Sequence, residues 1–173
     1  MRKLTFTVPE AYDAAQLKGF LRHFCGVSAR LLTDLKKEPL GITVNGVHAT
    51  VRKVLQAGDQ VQLALPADGA CPEPVDLPLA PLYEDRDLLA VDKPAAMPVH
   101  PDRDSLANAV AAYFQKKDAC CAFRPVYRLD RDTTGVLVLA KNTYAAARLA
   151  HGIEKVYLAV CEGILTGSGT ENG

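Results

Sequence analysis

Between Arg128 and Arg131 the chain carries one carboxylate, Asp130, within the run Arg128-Leu129-Asp130-Arg131-Asp132-Thr133-Thr134-Gly135. Arginine stays protonated at any working pH, so a carboxylate with two such neighbours stays ionised. An ionised carboxylate on a polar turn can attack an electrophilic carbon or accept a proton. Asp, Thr and Gly are also turn formers, so the same residues could make a strand-entry turn with no chemistry. A calcium loop is a third reading, because Asp130, Asp132, Thr134 and Gly135 fall at its first, third, fifth and sixth positions. Its twelfth position needs a bidentate glutamate and is Lys141, and a strand pattern follows where a helix should; that reading fails. The apolar run Val136-Leu137-Val138-Leu139-Ala140 begins directly after Gly135. Charge concentrated just ahead of a buried strand marks a site more than a connector.

The elements that must hold this turn follow from periodicity. Over residues 12–24, Leu17, Phe20, Leu21 and Phe24 recur at helical spacing. Ser28 caps a second helix, Ala29 to Leu35, and Lys36-Lys37 sit at its C-terminal end, where cations are favoured. Asn45-Gly46 between Ile42–Val44 and Val47–Val51 is a hairpin signal, and Gly58-Asp59 turns the chain into a strand, Val61–Leu65. Residues 66–81 contain five prolines and three acidic residues and read as an extended linker. Beyond it come a strand at Leu88–Val91, Asp92-Lys93-Pro94, and Val99-His100-Pro101. A helix capped by Ser105 carries Leu106, Val110, Tyr113 and Phe114. Strand Val136–Ala140, helix Thr143–Leu149 capped by Asn142 or Thr143, and strand Val156–Cys161 complete the series. The fold class is α+β, with a domain over 1–65, a linker over 66–81 and a second domain over 82–173. Both Val136–Ala140 and Val156–Cys161 are apolar on two faces and read as central strands.

Neither composition nor charge demands a membrane or a metal. No apolar run approaches 18 residues and no signal-peptide pattern opens the chain, which points to a soluble cytoplasmic protein. Five cysteines without a C-x-x-C pair fit reduced thiols better than a disulfide or zinc framework. The net charge of zero divides unevenly. Residues 1–65 hold nine Lys/Arg against five Asp/Glu, 66–92 one against seven, and 93–173 ten against eight. A basic head and a weakly basic tail on either side of an acidic connector permit binding to phosphate.

The Asp130 run, continued through Val136–Ala140 to Lys141-Asn142, resembles the central motif of the RluA-type pseudouridine synthases. Tyr127 stands where that motif has a histidine. Lys93-Pro94 with Val99-His100-Pro101 resembles the family's first motif, and Lys155-Val156-Tyr157-Leu158-Ala159 a later one. The two helices, Asn-Gly hairpin and closing strand resemble the S4 RNA-binding domain often placed ahead of these enzymes. The resemblance implies a small S4-like αα-hairpin-sheet domain followed by a partial mixed-sheet synthase domain. It implies conversion of uridine to pseudouridine in structured RNA, usually ribosomal, without metal or organic cofactor. Asp130 becomes the catalytic carboxylate, as nucleophile or as general base. Arg128 fills the space of the flipped base and holds phosphate, Tyr157 stacks on the uracil, and Lys93 and His100 shape the pocket. Arg30, Lys36, Lys37, Arg52 and Lys53 would meet RNA phosphates from the S4-like head, though each alone reads as a solvated surface charge.

One departure carries expectations of its own. The family's later segment, with an arginine that pairs with the catalytic aspartate, has no counterpart here, so the chain reads as a fragment or shortened form with negligible synthase activity. The competing reading is a non-catalytic S4-type RNA-binding protein with a vestigial synthase segment. Asp130 is expected on the floor of a cleft, within ion-pair reach of Arg128 or Arg131. Self-association is expected through an uncovered sheet edge within 136–161.

Overall fold

The structure, a computed structural model, describes residues 2–66, 69, 71–100, 104–119, 122–150, 152–160, 162 and 163. Strand β1 (Lys3–Thr7) pairs antiparallel with β4 (Gln60–Ala64). That strand also pairs with β2 (Ile42–Val44), which pairs with β3 (Val47–His48), for an order of β1-β4-β2-β3. Asn45 and Gly46 have φ of 52° and 80°, the two left-handed residues that a two-residue hairpin turn requires. β1 was not anticipated, although Lys3-Leu4-Thr5-Phe6-Thr7 alternates exposed and half-buried side chains.

Helix α1 (Leu17–Gly19) continues as a π-helical turn over Phe20–Phe24, and α2 spans Ala29–Leu35. The expected helix starts later than residue 12 because Ala14 is left-handed (φ 58°) and the Leu17 N–H is taken by the carbonyl of Lys53, 2.8 Å away. Ser28 caps α2 as expected, its Oγ accepting from the Leu31 N–H at 3.2 Å. Leu17, Phe20, Leu21, Leu35, Leu55 and Leu63 form the buried centre of this first unit.

The second unit is a sheet ordered β5 (Ala80–Glu84), β6 (Leu88–Lys93), β7 (Gly135–Ala140). Every strand pairing among the described residues is antiparallel, so the expected mixed sheet is antiparallel over these residues. Helix α3 (Leu106–Gln115) joins β6 to β7 and is buried along most of its length, while α4 (Thr143–Leu149) follows β7. Asn142 caps α4 by accepting from the Ala145 N–H at 2.8 Å. The outer edge of β7 is partly covered by residues 124–126. Val126 donates its N–H to the Val138 carbonyl, and Ala140 its N–H to the Arg124 carbonyl.

Three expectations fail on physical grounds. Part of the proline-rich stretch lies against α3 rather than running free. The Asn108 amide donates to the Glu73 carbonyl at 2.8 Å, and Lys116 pairs with Asp76 at 2.6 Å. Cys71 is disulfide-bonded, against the reading of reduced thiols. No strand forms over residues 155–160, because no described strand offers this segment backbone hydrogen bonds. Its apolar side chains stand in solvent, Leu158 at 102% and Val160 at 105% of full exposure. Cys120, Cys121 and Cys161 lie outside the described residues.

The two units are packed together. The Tyr144 hydroxyl on α4 donates to the Cys25 carbonyl at 2.7 Å, with the Phe6 ring 6.2 Å away. At the β5–β6 turn, Asp87 accepts from Arg2 at 2.7 Å and from Asn142 at 2.8 Å. The same corner contains Glu84, which accepts from Tyr113 (2.7 Å), Lys117 (2.5 Å) and Lys141 (2.8 Å) and so ties β5 to α3 and to the end of β7. Desolvation pushes the Glu84 pKa up, but the hydrogen bonds from Lys117, Lys141 and Tyr113 outweigh it and hold the carboxyl at about 2 against an ordinary 4.5. A depressed folded-state pKa stabilises above the unfolded value and loses that contribution as pH falls through the folded one. Thermal unfolding should therefore show roughly 3 kcal/mol of Glu84-dependent stability at pH 6, lost between about pH 4.5 and 2. Glu84→Gln should flatten that part of the profile; an unchanged acid limb would show that the three donors contribute no net stability.

Candidate functional site

The β6–β7 register sets Lys93 opposite Gly135, so the exit of one strand lies beside the entry of the other. This pairing brings the Lys93-Pro94 corner against the Asp130 turn, although the residues are about forty apart in the chain. Gly135 enters β7 at φ 122°, a conformation open to glycine and closed to most other residues. The turn itself is closed by the Thr133 N–H donating to the Asp130 carbonyl at 3.2 Å.

Lys93 has no solvent exposure. Its ammonium donates to the carbonyls of Pro94 (3.0 Å), Met97 (2.9 Å) and Arg131 (2.8 Å). All three N–H donors are thereby satisfied, and the last bond fastens the β6 exit to the Asp130 turn. Burial lowers the Lys93 pKa below the ordinary amine value, and the carboxylates of Asp132 and Asp130 draw it partly back. The residue expected only to shape a pocket is the link between the two motif loops. Its partner from the same motif, His100, is exposed and meets the Phe123 ring edge-on at 5.8 Å, while Pro101 lies outside the described residues.

Asp130, Arg128 and Arg131 are all exposed. Among the described residues no ion pair joins Asp130 to either arginine, so the expected cleft floor with a guanidinium in reach is not what the structure has. The backbone explains part of this. Arg131 has its carbonyl held by Lys93, and its Nε leans toward the Ala96 carbonyl at 3.4 Å. A cleft of about 400 Å³ does lie beside the turn. It is lined by Leu129 and Thr134, on either side of Asp130, and by Tyr127, Val136, Val138 and Tyr157. Tyr157 thus shares a cleft with the Asp130 loop from an irregular segment and not from a strand.

Tyr127, in the position of the family's histidine, donates its hydroxyl to the Val136 carbonyl at 2.8 Å, and the Lys155 ammonium lies 5.7 Å from its ring. Burial first, and then the nearness of Tyr157, raises the Tyr127 pKa above the ordinary phenol value. It therefore stays a neutral donor and forms a wall of the cleft. On the first unit, Arg30, Lys36, Lys37, Arg52 and Lys53 are all exposed, with Lys37 paired to Asp34 at 2.8 Å. Lys36 lines a smaller cleft of about 210 Å³ with His48, Thr50 and Val51 from the hairpin side. No group of three or more His, Cys, Asp or Glu that could hold a metal occurs among the described residues. No described helix is long and apolar enough to cross a membrane.

Residues 87–172 match the family described as RNA pseudouridylate synthase, and the chain belongs to that family. Among its relatives, an uncharacterized RNA pseudouridine synthase YhcT of Bacillus subtilis is 33% identical over 99% of this chain and 60% of its own length. A second from that organism, YjbO, is 34% identical over 80% of this chain and 53% of its own length. The ribosomal large subunit pseudouridine synthase D of Xanthomonas campestris is 32% identical over 86% of this chain and 50% of its own length. The chain thus spans between half and three-fifths of the length of these relatives.

The Lys93 clamp can be tested on the fold alone. Lys93→Met removes the donor shared by three part-buried carbonyls and should lower stability by about 1–3 kcal/mol in urea denaturation. Lys93→Arg should not restore it, since a guanidinium is larger than the enclosed ammonium site. An unshifted midpoint in Lys93→Met would mean that desolvating the ammonium cancels its three bonds.

Proposed function

We propose that this protein converts uridine to pseudouridine in structured RNA, of the ribosomal kind that the names of several relatives carry, with Asp130 as the reacting carboxylate. Membership of the family over residues 87–172 is the observation that carries the reading, since the Asp130 turn and the Lys93 corner both fall inside that span. The reaction breaks the bond from the sugar C1′ to N1 of uracil and forms one from C1′ to C5. A proton is lost from C5 and N1 is protonated. The change is redox-neutral and needs no electron carrier. An exposed carboxylate on a turn clamped from below suits attack at C1′ or removal of the C5 proton.

The base must leave its stack before either bond changes, because a paired base is sterically closed. Arg128 fills the vacated space and holds phosphate, and Tyr157 stacks on the detached uracil. The cleft between Tyr127 and the 153–157 segment supports this reading by bringing an aromatic face beside the Asp130 loop. The first unit acts as an S4-like RNA-binding domain, with Arg30, Lys36, Lys37, Arg52 and Lys53 as phosphate contacts.

Tritium release from RNA containing 5-tritiated uridine reads the C5 proton loss directly. Asp130→Asn should reduce release by about three powers of ten while RNA affinity changes little. Release that survives the substitution would remove Asp130 from the chemistry. Tyr157→Ala should weaken the reaction by roughly tenfold or more, and Tyr157→Phe should retain it, because the face and not the hydroxyl does the stacking.

A further inference from the structure

We propose that the groove between α2 and α4 is a second phosphate-binding site, one that grips the RNA backbone where the two units meet. This rests on the reading of the protein as an RNA-modifying enzyme and adds a contact surface remote from Asp130. The groove has a volume of about 380 Å³ and is lined by Ser28, Arg30, Arg124, Thr143, Ala146 and Ala147, with Leu31 and Asp34 completing it. Neither unit forms it alone. Arg30 comes from α2 of the first unit, while Arg124 comes from the segment that edges β7 in the second.

Charge and shape both select a phosphodiester. Among the described residues the lining holds one acid, Asp34, which already accepts from Lys37 at 2.8 Å; that bond lowers its pKa and offsets its charge. A third guanidinium, that of Arg148, lies against Gly26 at the same junction, close enough that a Cβ there would collide with it. Guanidinium groups present paired N–H donors that match phosphate oxygens. Ser28 and Thr143 add hydroxyls, and the alanines leave α4 low enough for a backbone to approach. Among the described residues no exposed aromatic or large aliphatic anchor of the kind a protein partner would need lines the groove.

Its walls are fixed with respect to one another. The Tyr144–Cys25 hydrogen bond, the Phe6–Tyr144 packing and the shared carboxylate of Asp87 hold α4 to the first unit. The groove is therefore preformed, and RNA would not have to close a hinge to meet both arginines. The separation from the chemistry is also set. The Asp130 turn enters β7 at Gly135 and α4 leaves it after Ala140, roughly 20 Å along the strand. Backbone held in the groove belongs to nucleotides some way from the target uridine.

Fluorescence anisotropy with a labelled RNA hairpin, across a salt series, tests the site on the full chain. The variants are Arg30→Gln, Arg124→Gln and the double substitution, with Lys116→Gln as a remote control and thermal melts to verify folding. The double variant should bind about tenfold or more weaker near 0.1 M salt, and its salt slope should fall by about two, one per lost phosphate contact. Arg124→Gln should by itself show half of that slope change, with Arg124→Lys retaining wild-type binding, since Arg30 alone does not separate the groove from the first unit's own phosphate contacts. Wild-type binding with no change of affinity or slope in Arg124→Gln would overturn the junction site and leave the Asp130 chemistry standing. A polyglutamate peptide that binds as tightly as RNA, and is weakened equally by the variants, would overturn RNA as the occupant. Failure of the wild-type chain to bind any structured RNA would overturn this site and the proposed function together, whereas Asp130→Asn with normal tritium release and normal binding would overturn only the latter.

Discussion

The Lys93 ammonium sits without solvent contact, and its three N–H donors meet carbonyls from the β6 exit, the loop after it, and the Asp130 turn. Moving an ammonium out of water costs several kcal/mol, and only a full set of acceptors offsets that cost. The arrangement is therefore all or none. If the turn shifts, Arg131 withdraws its carbonyl and the charge is left short of a partner. The position of the Asp130 turn depends on a fully buried ammonium, and the strand register that opposes Lys93 to Gly135 is what makes the contact possible.

Polar hubs of this kind recur in the second unit. Its buried cluster is built mainly from one helix and two strands, with Leu106 and Phe114 from α3, Leu89 and Val91 from β6, and Leu137 and Leu139 from β7. Glu84 joins three of those elements through its bonds to Tyr113, Lys117 and Lys141, and Asp87 joins the sheet to the first unit through Arg2 and Asn142. Both carboxylates flank the same short β5–β6 turn. A turn that would read as solvated surface is thus the place where the sheet, α3, α4 and the N-terminal strand are fastened.

The parts legible in the sequence are those decided by local chemistry. Asn45-Gly46, Ser28 and Asn142 act within a few residues of themselves, and the hairpin and both caps form where they were expected. β7 was legible because its apolar run and its glycine entry are contiguous. β5 was hidden by its proline: Pro81 cannot donate to a ladder, yet β5 lies at the sheet edge, where a missing donor is tolerated. The segment 155–160 has strand composition and no strand, since composition supplies side chains but not a neighbour to bond. The α2–α4 groove was invisible for the opposite reason. Arg30 and Arg124 stand far apart in the chain, and only the packing of Tyr144 on the first unit brings their elements together.

That packing changes what weak contacts can do. An exposed arginine on a free module gains little from a single phosphate, because screening and side-chain entropy absorb most of the attraction. When two modules are held in fixed relation, the second contact is made at the high effective concentration set by the first, and the affinities multiply. The alignment also carries a directional constraint. The α2–α4 groove lies at the Ala140 end of β7 and the Asp130 turn at its Gly135 end. The hydrogen bond from Tyr144 to the Cys25 carbonyl, far from the Asp130 turn, therefore helps to set the angle between the α2–α4 groove and that turn.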